Sequence, residues 1–271
     1  PDFTAFRFFD WIEELQPTWY TAVPTMHQLI LRRAERSTQA VAASSLRFVR
    51  SSSAPLPPVV LERIEATFGA PMVEAYGMTE ASHQMSTQPL PPGLRKPGSV
   101  GRPSGVEMAI MGSTGAVLAS SERGEVVVRG PSVTRGYESN SEANAVAFSD
   151  GWFRTGDEGY LDGDGYLFLT GRLKEIINRG GEKISPKEVD EVLMDHPAVQ
   201  QVVTFAVPHN KLGEEVAAAI VAKPGDMSLL SVAIQVYASA HVVGHVKPGS
   251  FDSAPWRNGA ASSSIAVSAT G

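Results

Sequence analysis

The 271 residues carry 23 lysines and arginines against 29 aspartates and glutamates, a formal charge of −6, with 42% hydrophobic residues and no cysteine. A packed core is within reach of this composition, while disulfide scaffolds, thiolate metal sites and a cysteine nucleophile are excluded. Mild acidity without a basic stripe argues against nucleic acid as a partner. The longest apolar run, Val216 to Ala222, is far shorter than the ~20 residues of a membrane-spanning helix.

At ~100–200 residues per domain, this length suits one large domain or two smaller ones. The chain opens on Pro1, and Phe3, Phe6, Phe8, Phe9 and Trp11 alternate with Asp10, Glu13 and Glu14. That is the pattern of neither a signal nor a transit peptide, and it reads as part of something longer. Spacing predicts a helix over residues 2–15, with Asp2 as its cap and Phe6, Phe9 and Ile12 on one face. An extended run at 18–23 precedes a second helix capped by Thr25, then a strand at Leu46–Val49. A helix from Pro57 to Phe68 stops at Gly69, where a left-handed residue is wanted. Met72–Ala75 is a strand opening into a loop at Gly77. Strands and helices with short connections predict a layered α/β arrangement over residues 1–96.

Between 97 and 171 the texture changes to short β-type runs (Val106–Met111, Gly124–Arg129, Tyr166–Thr170) separated by Gly, Pro and Asp turns, with one helix near Ser141–Phe148. This is the pattern of an antiparallel β subdomain. A smaller α+β lobe is expected over 173–230, opened by Ser185-Pro186-Lys187-Glu188, a helix start with a capping box. Strands follow at Val199–Val207 and Val216–Ala222. Residues 231–271 read as a divergent or poorly ordered tail, though Val232–Val243 is apolar enough to be an ordered segment.

Familiar signatures fail first. No Gly-Lys-Ser/Thr phosphate loop is present. Asp162-Gly163-Asp164-Gly165 lacks the flanking ligands of a calcium loop and reads as a turn. His241 and His245 share a helical spacing without a third ligand.

Three polar clusters remain. In Tyr76-Gly77-Met78-Thr79-Glu80, Tyr76 offers a flat apolar face and Gly77 lets backbone approach a ligand. Thr79 offers a hydroxyl for a phosphate oxygen, and Glu80 a hard oxygen ligand for magnesium. Taken alone, the plain reading is a polar turn. In Thr155-Gly156-Asp157, Asp157 can accept hydrogen bonds from a ribose diol, or simply end a strand in a turn. From Gly171 to Pro186, Arg172 supplies a fork of donors, and Gly180-Gly181 leaves backbone N–H groups open to an anion between Arg179 and Lys183. A solvated charged hinge is the alternative.

In this order and spacing, Tyr-Gly-x-Thr-Glu, Thr-Gly-Asp, Gly-Arg-x-Lys-Glu and Gly-Gly-Glu-Lys-Ile-Ser-Pro resemble the adenylate-forming superfamily: AMP-forming acyl–CoA synthetases, luciferases and peptide-synthetase adenylation domains. The resemblance covers roughly residues 1–223. Thr18–Gln28, Arg50–Ala54 and Met78–His83 are similar to the oxalate–CoA ligases, relatives of the 4-coumarate–CoA ligases. The resemblance implies ATP-dependent activation of a small carboxylic acid of the oxalate class to an acyl-adenylate, then transfer to CoA.

Carried over by position, Tyr76 and Gly77 would hold adenine against Ser53-Ala54-Pro55, Thr79 would bind phosphate and Glu80 would hold Mg2+. Asp157 and Arg172 would grip the ribose, Lys174 would be the pivot of the small lobe, and Gly180-Gly181 would face CoA. Ser53 and His83 would line the acid pocket. Asn178 stands where 4-coumarate ligases usually have lysine. The family's phosphate loop would lie in a missing N-terminal half. Its C-terminal lysine has only the faint echo Pro255–Ala260, with no lysine after Lys247. The resemblance thus implies a ligase fragment incomplete for catalysis by itself; a non-catalytic remnant that binds AMP or a partner is the alternative. Members of the family are cytoplasmic or peroxisomal, and Ala269-Thr270-Gly271 is no peroxisomal address.

Overall fold

The computed structural model describes residues 3–196 and 199–222, together with the backbone of 250–254 and 264–270. The chain divides into two compact units, one ending at Leu169 and one beginning at Thr170. No helix among the described residues is long and apolar enough to cross a membrane.

The first unit begins with α1 (Ala5–Leu15), whose cap is Thr4: its hydroxyl accepts from the Arg7 N–H, and Phe8, Phe9 and Ile12 are buried. Asp2, the expected cap, lies outside the described residues. Gln16 turns left-handed and Pro17 follows, so the helix cannot continue. β1 (Trp19–Ala22) leads to α2 (Pro24–Ala34), which starts on proline after Val23; Thr25 is inside the helix and does not cap it. Proline at the first turn has no N–H to satisfy, which makes a side-chain cap less necessary. After α3 (Thr38–Ala42) come β2 (Phe48–Ser51), α4 (Pro58–Phe68) and β3 (Met72–Met78). Gly69 closes α4 at φ +62.

β1, β2 and β3 are parallel neighbours, with Val49 opposite both Tyr20 and Met72. β4 (His83–Thr87) and the short β5 (Arg102–Pro103) extend this sheet antiparallel. The helices cover it through Phe8, Ile12, Ile30, Val49, Ile64 and Met72. Each such buried side chain contributes roughly 1.5–3 kcal/mol of hydrophobic stabilisation.

A second, antiparallel sheet has the order β10-β9-β7-β6. Its strands are β6 (Glu107–Met111), β7 (Gly124–Arg129), β9 (Trp152–Leu161) and β10 (Leu167–Arg172). α5 (Ser141–Ala147) and β8 (Phe148–Ser149) interrupt it, and Asn140 caps α5 by accepting from the Ala143 N–H. Val126, Val127 and Val128 are completely buried. Asp162–Gly165 is the expected turn; Asp162 Oδ1 accepts from the N–H groups of Asp164 and Tyr166, and Lys96 pairs with Asp162 and Asp164.

In the second unit, β11 (Ile177–Arg179) and β12 (Glu182–Ile184) form a hairpin, followed by α6 (Pro186–Met194). Ser185 precedes α6 but makes no capping box; its hydroxyl donates to the Thr170 carbonyl. β13 (Val199–His209) and β14 (Gly213–Ala222) pair antiparallel over a core of Ile177, Val189, Leu193 and Ile220. In the tail the backbone forms β15 (Ser250–Ala254) and β16 (Ser264–Thr270), with β16 beside β14, where the composition suggested no regular element. Val232–Val243, His241 and His245 lie outside the described residues.

Candidate nucleotide and acid site

Because β2 and β3 are parallel, the segments leaving their C-terminal ends emerge side by side. Open α/β sheets bind ligands at such ends. Ser53-Ala54-Pro55 leaves β2 exposed, with Ser53 held at φ +74. Tyr76 and Gly77 belong to β3 itself, which runs three residues past the expected strand end. Gly77 is therefore not in a loop. It lies opposite Gln84 across the antiparallel pair, just beyond an irregularity in register, and a Cβ there would overlap the His83 carbonyl. Thr79 opens a single 3₁₀ turn, Thr79–Ala81, and is exposed. His83 begins β4 opposite Met78, with φ +84 and an exposed ring, so it is not on a helix.

Glu80 is fixed at both ends. Its carbonyl accepts from the Thr134 N–H at 2.6 Å, and its Oε1 accepts from the Tyr137 hydroxyl at 2.9 Å. Burial, helped by the Glu80 carboxylate, raises the Tyr137 pKa above the usual phenol value. Tyr137 carries no motif that would mark it in the sequence; only the fold brings it to Glu80. Among the described residues no group of three His, Cys, Asp or Glu could hold a metal ion. One partly exposed carboxylate suits magnesium, which keeps water and phosphate oxygens as its remaining ligands.

Asp157 is not in a turn but inside β9, only 5% exposed. Glu158 pairs with Glu125 and Arg154 with Val127, so Val126 alone faces Thr155, Gly156 and Asp157. The bulge is tied down from within: Thr155 Oγ1 donates to the Val126 carbonyl at 2.8 Å and accepts from the Asp157 N–H at 3.1 Å. Gly156, at φ +76, donates its N–H to Glu125 Oε1 at 3.0 Å. Bulges re-aim side chains in this way. The result is contact between two clusters 81 residues apart: the Tyr76 hydroxyl donates to Asp157 Oδ2 at 2.5 Å. The Tyr76 ring is half-buried and packs against the cluster containing Met85, Val128 and Phe153.

The remaining expected residues belong to the second unit. Arg172 ends β10 and Lys174 is exposed in the following turn, where the Arg172 carbonyl accepts from the N–H groups of Glu175 and Ile176. Gly180 and Gly181 form the β11–β12 turn at φ +60 and +97. Their N–H groups are not open, contrary to expectation: Gly180 donates to the Leu212 carbonyl at 2.9 Å and Gly181 to Asn178 Oδ1 at 3.1 Å. The asparagine side chain closes this turn. Arg179 is committed to the buried Glu215 at 2.5 Å.

Arg50, the first residue of the Arg50–Ala54 string, was given no role by the sequence reading. Arg50 on β2 places its guanidinium between Thr21, Ser52, His83 and Gln84.

Comparison with known proteins bears on this geometry. The family model described as AMP-binding enzyme matches residues 1–138, and that of the AMP-binding enzyme C-terminal domain matches 188–252. The chain is 55% identical over 224 residues to an oxalate–CoA ligase of Arabidopsis thaliana, covering 82% of this chain and 43% of that protein. It is 42% identical over 205 residues to a sulfoacetate–CoA ligase of Cupriavidus necator, covering 75% of this chain and 40% of that protein. Among solved structures, ATP-bound MatB from Rhodopseudomonas palustris superposes with a TM-score of 0.75 at 32% identity, over 84% of this chain and 44% of that one. The chain thus spans less than half the length of these relatives. With more than half of its residues matched by the family model, the chain belongs to the AMP-binding enzyme family.

Proposed function

We propose that this chain is part of an ATP-dependent acid–CoA ligase acting on a small carboxylic acid of the oxalate class. The observation that carries the reading is the 2.5 Å bond from Tyr76 to Asp157, which joins an aromatic face and a buried carboxylate beside the C-terminal ends of β2 and β3. Support for oxalate comes from the 55% identical relative.

On this reading a substrate carboxylate oxygen attacks the α-phosphorus of ATP, forming the acyl-adenylate and releasing pyrophosphate. The CoA thiol then attacks the acyl carbon, and AMP leaves. Tyr76 and Gly77 carry the adenine with the Ser53–Pro55 backbone opposite, Asp157 accepts from the ribose hydroxyls, and Arg172 is the expected donor to their oxygens. Thr79 donates to phosphate. Glu80, oriented by Tyr137, would hold Mg2+, which supplies charge neutralisation at the phosphates. Ser53 and His83 line the acid pocket. Lys174 serves as the pivot of the small lobe, and the Gly180-Gly181 turn meets CoA through its surface.

Calorimetry with AMP tests the nucleotide site. The chain should bind AMP, and Asp157→Ala should abolish that binding. Binding that survives the substitution removes Asp157 from the site, and no binding at all sinks the reading. We infer further that these 271 residues alone do not complete turnover. Oxalyl-CoA formation at the rate of a full-length homologue would overturn that inference, whereas AMP binding without adenylate formation in the complete protein would point to a non-catalytic binder.

A further inference from the structure

The Arg50 guanidinium is surrounded by uncharged acceptors. One terminal nitrogen donates to Thr21 Oγ1 and Ser52 Oγ, both at 3.1 Å; the other donates to Gln84 Oε1 at 3.2 Å and to His83 Nε2 at 3.1 Å. None of these partners is a carboxylate. The contrast within the same unit is clear: Arg95 pairs with Glu65, Arg154 with Glu125, and Lys96 with Asp162 and Asp164. Arg50 is half-buried, and desolvation lowers its pKa below the ordinary arginine value. A partly desolvated cation without a counter-charge is unfavourable by itself.

Its position explains what the arrangement is for. Thr21, Arg50 and Ser52 lie at the C-terminal ends of β1 and β2, and His83 and Gln84 at the adjoining start of β4. The second terminal nitrogen faces the exposed His83, so an anion from solvent reaches that side of the fork.

We propose that Arg50 anchors a second negative charge on the acid substrate, so that the site selects short dianionic acids over monocarboxylates. This inference rests on the ligase reading above and assigns the group that sets its substrate class. A carboxylate or sulfonate displaces His83 and Gln84 from the second nitrogen. Charge-assisted bonds are roughly twice as strong as neutral ones, so an anion outcompetes the neutral pair at this nitrogen. An acid with a single carboxylate, used in the reaction itself, leaves the neutral set in place and gains nothing from Arg50.

The test titrates the intact chain with AMP, oxalate and propionate, in the parent form and as Arg50→Gln and Arg50→Lys. Arg50→Gln should reduce the preference for oxalate over propionate by about tenfold or more, the scale of lost hydrogen bonds to a charged group. Arg50→Lys should recover part of it by restoring the charge without the fork. Thermal melting accompanies each titration. Unchanged oxalate preference in Arg50→Gln overturns the proposal while AMP binding leaves the ligase reading intact. Equal losses of oxalate, propionate and AMP in both variants also overturn it, since that pattern is a structural role. Absence of AMP binding in the parent chain removes both readings.

Discussion

At the scale of single residues, the polar side chains buried in the first unit differ in kind. His27 is completely buried, with the Tyr20 hydroxyl 3.3 Å from its Nδ1. Burial lowers its pKa from 6.5 to about 4, against a smaller upward pull from the carbonyls of Ala22 and Arg50. The folded protein therefore holds fewer protons here than the unfolded chain. The stability this contributes is complete above pH 6.5 and is lost as the pH falls towards 4, amounting to roughly 3 kcal/mol. Unfolding by denaturant across that interval should show the decline, and His27→Phe should flatten it. An equally steep decline in the variant would assign the effect to carboxylates instead. The residue types of the candidate cluster were legible in the sequence because Tyr76, Glu80 and Asp157 stand in short distinctive strings. Their partners were not: Tyr137 lies 57 residues from Glu80, and Arg50 lies 33 from His83. Pattern reading finds what is local, and these contacts exist only after the sheets form.

Among the elements, strands and helices of the first unit followed from periodicity, and the errors fall at their ends. Met72–Ala75 reads as a strand because Met72, Val73 and Ala75 are apolar, whereas Tyr76 to Met78, which continue it, contain Gly77 and read as loop. What extends β3 is its pairing with β4, which no local signal announces. The same pairing dictates glycine at position 77. Gly77→Ala would drive a methyl group into the His83 carbonyl, and backbone must move. A loss of at least about 2–3 kcal/mol is expected, at the upper end for overpacked sites, measured as a shift in the unfolding midpoint. A variant as stable as the parent would show that β3 and β4 do not pair as described. Thr155-Gly156-Asp157 shows a related failure. Glycine between polar residues reads as a turn, yet here it supplies the positive φ of a bulge in the middle of a ten-residue strand. Thr25 was misjudged as a cap, whereas Ser185 holds the expected N-cap position but makes no capping box; proline opens the helix in both cases.

For the whole molecule, each of the two units has a core of its own, and the layered α/β class was readable from the order of its strands and helices. The sheet order was not, since it depends on which strands end up as neighbours. One consequence concerns β1, which lies at the end of its sheet with β2 on one side only among the described strands. Trp19 on this strand is 48% exposed and stacks on Phe48 at 5.5 Å. An apolar edge of this kind favours self-association, and charges on edge strands oppose it. Light scattering should therefore rise with concentration for the parent chain and stay flat for Trp19→Lys; identical curves would clear this edge of blame. The geometry also limits how far such growth can go. Two copies meeting β1 to β1 across a two-fold axis align antiparallel and cap one another, an isologous contact that closes at the dimer instead of propagating into a fibre.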